Sequence, residues 1–141
     1  MHFWIITHGN GSKVTDVIIS GYISQSAFAG SKIESLTVTG SSSIVGGAFY
    51  KCNSLKTVNI HEGLSSIGEI AFSDCVNLTA IFLPSSLNHI GDQAFRNCTS
   101  LTSINYAAQQ SWWNAISKGY QWDNNTGEYT IYCTNGTIDK K

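Results

Sequence analysis

Ala-Phe recurs at Ala27-Phe28, Ala48-Phe49, Ala71-Phe72 and Ala94-Phe95, which spaces the phenylalanines by 21, 23 and 23 residues. A near-constant period of this size constrains the fold more than any other feature of the chain. One coil of about 23 residues cannot enclose a core, so apolar residues at fixed places in the period are buried only if coils stack on one another.

Many positions share the register. Three residues after each of the last three phenylalanines stands a cysteine (Cys52, Cys75, Cys98), and three further on a leucine (Leu55, Leu78, Leu101). Each leucine opens a Leu-x-x-Φ-x-Φ segment: Leu55, Val58, Ile60; Leu78, Ile81, Leu83; Leu101, Ile104, Tyr106. Earlier versions run through Val14, Val17, Ile19 and through Ile33, Leu36, Val38, which makes five strand-like segments. Leu64 or Leu87, then Ile67-Gly68 or Ile90-Gly91, leads back to the next Ala-Phe. The pattern predicts an α/β repeat solenoid. A short parallel sheet forms one face, with strands about 4.8 Å apart, and a short helical or 3₁₀ stretch forms around each Ala-Phe on the other.

The segment Leu-Pro-Ser-Ser-Leu-Asn-His-Ile-Gly-Asp-Gln-Ala-Phe-Arg-Asn-Cys-Thr-Ser-Leu-Thr-Ser-Ile, residues 83 to 104, resembles the BspA-like class of leucine-rich repeat. The resemblance covers 14–106 as about five coils. The stretch from Trp113-Asn114-Ala115-Ile116 to Tyr129-Thr130-Ile131-Tyr132-Cys133 is similar to the segment that closes such arrays. The first coils depart from the pattern: the stretch from Ile19 to Phe28 is short, Ser31 replaces the cysteine, and Ser42 stands roughly where later coils have leucine. The domain is expected to span 1–141, with 1–13 as an N-terminal capping strand and 107–141 as a C-terminal cap. The resemblance implies a non-catalytic binding or adhesion module of a bacterial surface protein, at the cell surface or secreted, with a host-derived partner among the candidates. The alternative is a structural spacer or presentation module of a longer protein.

An array end exposes an apolar face, so the ends should be atypical. Ser111 is expected to cap a helix over 112–118 ended by Gly119, with a turn at 123–127 and a half-buried strand through 129–134. Trp112, Trp113 and Trp122, with Tyr120 and Tyr129, read as end-capping residues, a carbohydrate-stacking platform being the competing role. At the start, Phe3 to Thr7 and Val14 to Ile19 flank His8-Gly9-Asn10-Gly11-Ser12, a hairpin signal.

Charge and motifs exclude several functions. Charged residues make up 12% of the chain, the net charge is -1, and Ser, Thr and Asn number 42, so the surface is neutral and polar. That leaves no basic field for nucleic acid or anionic lipid. No apolar run approaches the roughly 20 residues of a membrane span, so membrane insertion is not expected. No phosphate-loop spacing occurs among the glycines, and no cofactor is expected. His2, His8, His61 and His89 share no repeat position; His61-Glu62 reads as a solvated turn; Glu69 and Asp92 read as exposed residues at a helix start. Cys52, Cys75 and Cys98 read as a row of reduced core thiols, with a disulfide or a metal as the alternatives. On that reading Cys75→Ser would cost 1–3 kcal/mol through an unpaired buried hydroxyl.

The candidate binding surface is the strand face. In each strand the third and fifth positions of the motif point away from the core, giving the rows Asp16, Ser35, Thr57, Ala80, Ser103 and Ile18, Thr37, Asn59, Phe82, Asn105. Thr57, Asn59, Phe82, Ser103 and Asn105 are the candidate partner-binding residues, for a protein or glycan. Phe82 is the best single anchor.

Overall fold

The computed structural model describes residues 4–8 and 15–140. Val14, His2, Phe3 and the predicted hairpin turn at 9–12 lie outside the described residues. The elements in order are β1 (Trp4–His8), β2 (Asp16–Ser20), β3 (Ser35–Thr39), β4 (Ser43–Ile44), β5 (Thr57–Ile60), β6 (Ser66–Ile67), β7 (Ala80–Leu83), β8 (His89–Ile90), β9 (Ser103–Tyr106), α1 (Gln110–Ala115), β10 (Ser117–Lys118), β11 (Thr130–Cys133) and β12 (Gly136–Asp139).

The chain winds as a solenoid. Strands β2, β3, β5, β7, β9 and β11 lie side by side and parallel, each in register with the same motif position of its neighbour. β1 pairs antiparallel with β2 at one edge of this sheet, as the two strand signals around 8–12 imply. Within the segment assigned to the cap, β11 adds a sixth parallel strand and β12 then folds back antiparallel on it. A second sheet of two-residue strands, β4, β6, β8 and β10, runs parallel on another side of the coil. The periodicity does not reveal this sheet, because two residues are too few to show alternation.

The core lies between the two sheets and the Ala-Phe turns. Val17, Leu36, Val58, Ile81, Ile104 and Ile131 form one continuous buried row, and Leu55, Leu78 and Leu101 another. The phenylalanines stack directly: Phe28 on Phe49, Phe49 on Phe72 and Phe72 on Phe95, with ring centroids 5.3–5.4 Å apart and planes within 8°. Position Ser42 is corrected by one residue. The pairing of Ser43 with Ser66 sets Ser41 level with Leu64, and it is Ser41 that is buried, its hydroxyl donating to the Ser43 carbonyl at 3.0 Å.

The expected helical or 3₁₀ stretch is replaced by a run of turns. Alternate N–H groups have different destinations. Those of Ala48, Tyr50 and Cys52 close turns three residues back, while those of Gly47, Phe49 and Lys51 cross to the carbonyls of Glu69, Ala71 and Ser73 in the next coil, each at 2.9 Å. A helix would spend all of these groups internally. The alternation is reset by left-handed residues at equivalent places: Gly47, Ile70 and Gln93 begin successive turns, and Lys51, Asp74 and Asn97 end them. Isoleucine with φ of 49° is sterically disfavoured, so the inter-coil bonds override the local preference at Ile70. Without a helix, Glu69 and Asp92 have no helix dipole to complement; Asp92 instead accepts the N–H of Tyr120 at 2.7 Å.

The glycines after β6, β8 and β10 have a steric reason. A Cβ on Gly91 would sit 2.6 Å from the backbone N of Glu69 and 2.7 Å from the carbonyl carbon of Gly68, so only a bare backbone allows the coils to approach there.

Candidate functional site

Strand register sends motif positions three and five outward along every coil. Asp16, Ser35, Thr57, Ala80 and Ser103 align across the sheet, and so do Ile18, Thr37, Asn59, Phe82 and Asn105. Each row gains a member from β11, Thr130 beside Ser103 and Tyr132 beside Asn105. Phe82 is 46% exposed and Tyr132 is 49% exposed. The second row therefore presents an aromatic ring, an amide and a second aromatic ring on β7, β9 and β11.

Asn59, Phe82 and Asn105 are brought together in a shallow pocket of about 390 Å³, where Tyr132, Tyr106 and Glu62 also contribute to the walls. Thr57 and Ser103 stand on the other row, outside that pocket. Tyr132 is the member that sequence reasoning missed. Its strand was legible from alternation, but the 27-residue step from Asn105 breaks the period that aligns the other coils.

One carboxylate stands at the pocket, and it is committed. Glu62 accepts hydrogen bonds from the Ser85 N–H at 2.8 Å, the Ser85 hydroxyl at 3.0 Å and the Ser86 N–H at 3.2 Å. The bond from the Ser85 backbone is the main cause that holds its carboxyl below the ordinary glutamate value. His61 lies beside it in an exposed turn after β5, and His89 lies on β8. Among the described residues, no three His, Cys, Asp or Glu side chains are grouped closely enough to hold a metal ion.

The repeat cysteines are buried and free. Each thiol donates to the carbonyl of a phenylalanine one coil back: Cys52 to Phe28, Cys75 to Phe49 and Cys98 to Phe72, all at 3.2 Å. Burial pushes the Cys98 thiol up to about 12. Cys75 is pushed up as well, by its interaction with the neighbouring Cys52 thiol and then by burial. Ser31 continues the row, its hydroxyl 3.4 Å from the Cys52 sulfur. The premise that a serine at Cys75 would be unpaired is therefore corrected, since the Phe49 carbonyl is there to accept its hydroxyl.

The C-terminal aromatics divide into two groups. Trp122 meets Phe95 edge to face at 6.2 Å and ends the phenylalanine stack; Trp113 packs against Trp122 and Tyr106; Tyr129 is buried beside Trp122. These three close the array. Trp112 and Tyr120 do not, being 56% and 68% exposed. The expected helix is also corrected. It spans Gln110–Ala115, so Ser111 lies inside it, and 117–118 form β10 rather than its last turn. Asn135, in the turn between β11 and β12, takes the place of the predicted cap by accepting the Gln110 N–H at 2.9 Å. The far end is tied by Lys118, whose ammonium donates to the carbonyls of Trp113 and Ile116.

Two solved leucine-rich repeat proteins share this fold. A crystal structure of a leucine-rich repeat protein from Bacteroides ovatus is 30% identical and superposes with a TM-score of 0.56, over 66% of this chain and 23% of that one. The leucine-rich repeat protein of T. pallidum is 24% identical with a TM-score of 0.51, over 77% of this chain and 52% of that one. A leucine rich cell surface protein from Faecalibacterium prausnitzii is 23% identical with a TM-score of 0.33, over 80% of this chain and 40% of that one. The chain thus spans about half or less of the length of each. A search of curated proteins finds no match to this sequence. The description of the BspA type leucine rich repeat region matches residues 21–139 in six copies, and the chain belongs to that family.

Proposed function

We propose that this domain is a non-catalytic recognition module that binds a protein or glycan partner through the outer face of its parallel sheet, as part of a bacterial surface protein. Repeats of this family generally serve as interaction modules. The observation that carries the reading is the row Asn59, Phe82, Asn105 and Tyr132, two half-exposed rings interleaved with amides at the mouth of the pocket. No part of the core needs Phe82 or Tyr132 to be aromatic, and exposed rings among hydrogen-bonding groups give affinity without charge.

The test is direct binding to immobilised host matrix proteins and to a glycan array, comparing the native chain with Phe82→Ala and with Tyr22→Ala, an exposed ring outside the row. Phe82→Ala should weaken any genuine partner by about 2 kcal/mol or more, while Tyr22→Ala should not. Added salt should have little effect, because no charged cluster contributes. A partner whose affinity ignores Phe82 and Tyr132 would refute the strand face as the recognition surface. The spacer reading draws on the greater length of the solved relatives; it predicts no partner that depends on either row.

A further inference from the structure

We propose that the strand-face pocket continues around the C-terminal end of the sheet to Trp112, and that the resulting groove takes a neutral oligosaccharide. This inference rests on the recognition role of the strand face and names the chemistry of its partner.

Continuity comes from shared walls. The 390 Å³ pocket shares Ala107 and Thr134 with a depression of about 300 Å³, and that depression shares Ser85 and Trp112 with a third of about 330 Å³ against α1. Phe82 and Tyr132 line the first, and Trp112 lines the other two. Three of the most exposed large aromatic side chains among the described residues thus follow one path, although they come from β7, β11 and α1. End-capping does not account for Trp112, because Trp113, Trp122 and Tyr129 already cover the array end.

Spacing and polarity select the ligand. Phe82 and Tyr132 share one outward row with Asn105 between them, so their backbones are two strand spacings apart, about 9.6 Å. That is close to the length of two linked pyranose rings. The apolar faces of sugar rings stack on aromatic faces, and an Asn amide supplies both donors and an acceptor to hydroxyls between them. No lysine or arginine lines any of the three depressions, and the carboxylate of Glu62 already accepts three hydrogen bonds. An acidic sugar would find no lysine or arginine to pair with. An extended polypeptide would find no strand edge, since β5, β7, β9 and β11 are each paired on both sides.

Calorimetry with cellohexaose, laminarihexaose, xylohexaose and mannohexaose, with hexagalacturonate as the acidic comparison, tests the assignment. At least one neutral hexamer should bind saturably, and its trimer should bind more weakly. Phe82→Ala, Tyr132→Ala and Trp112→Ala should each weaken the hexamer ten-fold or more with the unfolding midpoint unchanged, and Trp112→Ala should reduce the advantage of hexamer over trimer. Full affinity in Trp112→Ala would overturn the single groove. Tighter, salt-sensitive binding of hexagalacturonate would overturn the neutral ligand. Failure of every hexamer at millimolar concentration would overturn the glycan, and Phe82-dependent binding to an immobilised matrix protein would then show that the strand face still recognises a partner. Hexamer binding indifferent to all three substitutions would overturn both readings.

Discussion

Phe72→Ala removes the central ring of the phenylalanine stack, and its cost follows from the geometry. The ring is fully buried, with Phe49 at 5.3 Å on one side and Phe95 at 5.4 Å on the other. Truncating a buried phenylalanine costs about 3–5 kcal/mol in lost transfer free energy and cavity formation. Two ring contacts, each worth about 0.5–1.5 kcal/mol beyond area, place the expected loss in the upper part of that range, about 4–5 kcal/mol. Domains of this size are stable by about 5–15 kcal/mol, so the variant should lose a large share of its stability. Phe28→Ala supplies the control, because Phe28 is half-exposed and stacks on one neighbour only; its loss should be about 1–2 kcal/mol. Urea unfolding followed by tryptophan fluorescence and circular dichroism would measure both. A single transition is expected, since few coils share one core. The stacking argument fails if Phe72→Ala costs less than Phe28→Ala, or if it costs under about 1 kcal/mol, which approaches the range of surface substitutions.

Three further outcomes are expected. Gly91→Ala should destabilise by at least 2 kcal/mol, since its Cβ meets backbone at 2.6 Å and neither coil can yield as a flexible side chain would; a thermal midpoint within a degree or two of the native one would show that the coils can separate there. Cys52, Cys75 and Cys98 should resist a thiol reagent at pH 8 until the chain is denatured, while half-buried Cys133 reacts first; Cys75→Ser should cost about 1 kcal/mol or less, because its hydroxyl can donate to Phe49, and a loss above 3 kcal/mol would count against that bond. Glu62 has a folded-state pKa below its unfolded one, so the stability it contributes is present above the ordinary value of 4.5 and is lost as pH falls through the lower folded value. Glu62→Gln should therefore flatten the acid limb of a stability profile below pH 4.5, and an unchanged limb would show that the Ser85 and Ser86 bonds do not persist in solution.

What could be read in the sequence was whatever repeats. The outward rows, the buried leucines and the stacked phenylalanines follow from a period of about 23 and from strand alternation, and the register reproduces them residue for residue. What escaped depends on where backbone groups bond. The Ala-Phe segments look helical because turns and helices share i to i−3 contacts, but every second N–H leaves for the next coil, and no side-chain pattern records that. The helix at 110–115 was misplaced because its cap comes from Asn135, 25 residues later. Tyr132 was missed for the same reason: its neighbour in the row is fixed by a strand pairing across an irregular insertion.

The proposal that the strand face serves recognition also draws support from what the other surfaces must do. On the side of the short strands, Gly68 and Gly91 admit no side chain without collision. At the turns, Asp74, Asn97 and Asn125 hold left-handed backbone and form a ladder of side-chain bonds, Asn97 to Asp74 and Asn125 to Asn97. The thiol row is closed by carbonyl acceptors, and the C-terminal end is filled by Trp113, Trp122 and Tyr129. Substitution on those surfaces breaks coil stacking before it alters any ligand. The outer rows of the sheet are different, because their backbone bonds run within the sheet and their side chains touch little else. Thr57, Asn59, Phe82, Ser103, Asn105 and Tyr132 can be exchanged at little cost to the fold, and a repeat protein that diversifies its partners is free to do so only at positions of that kind.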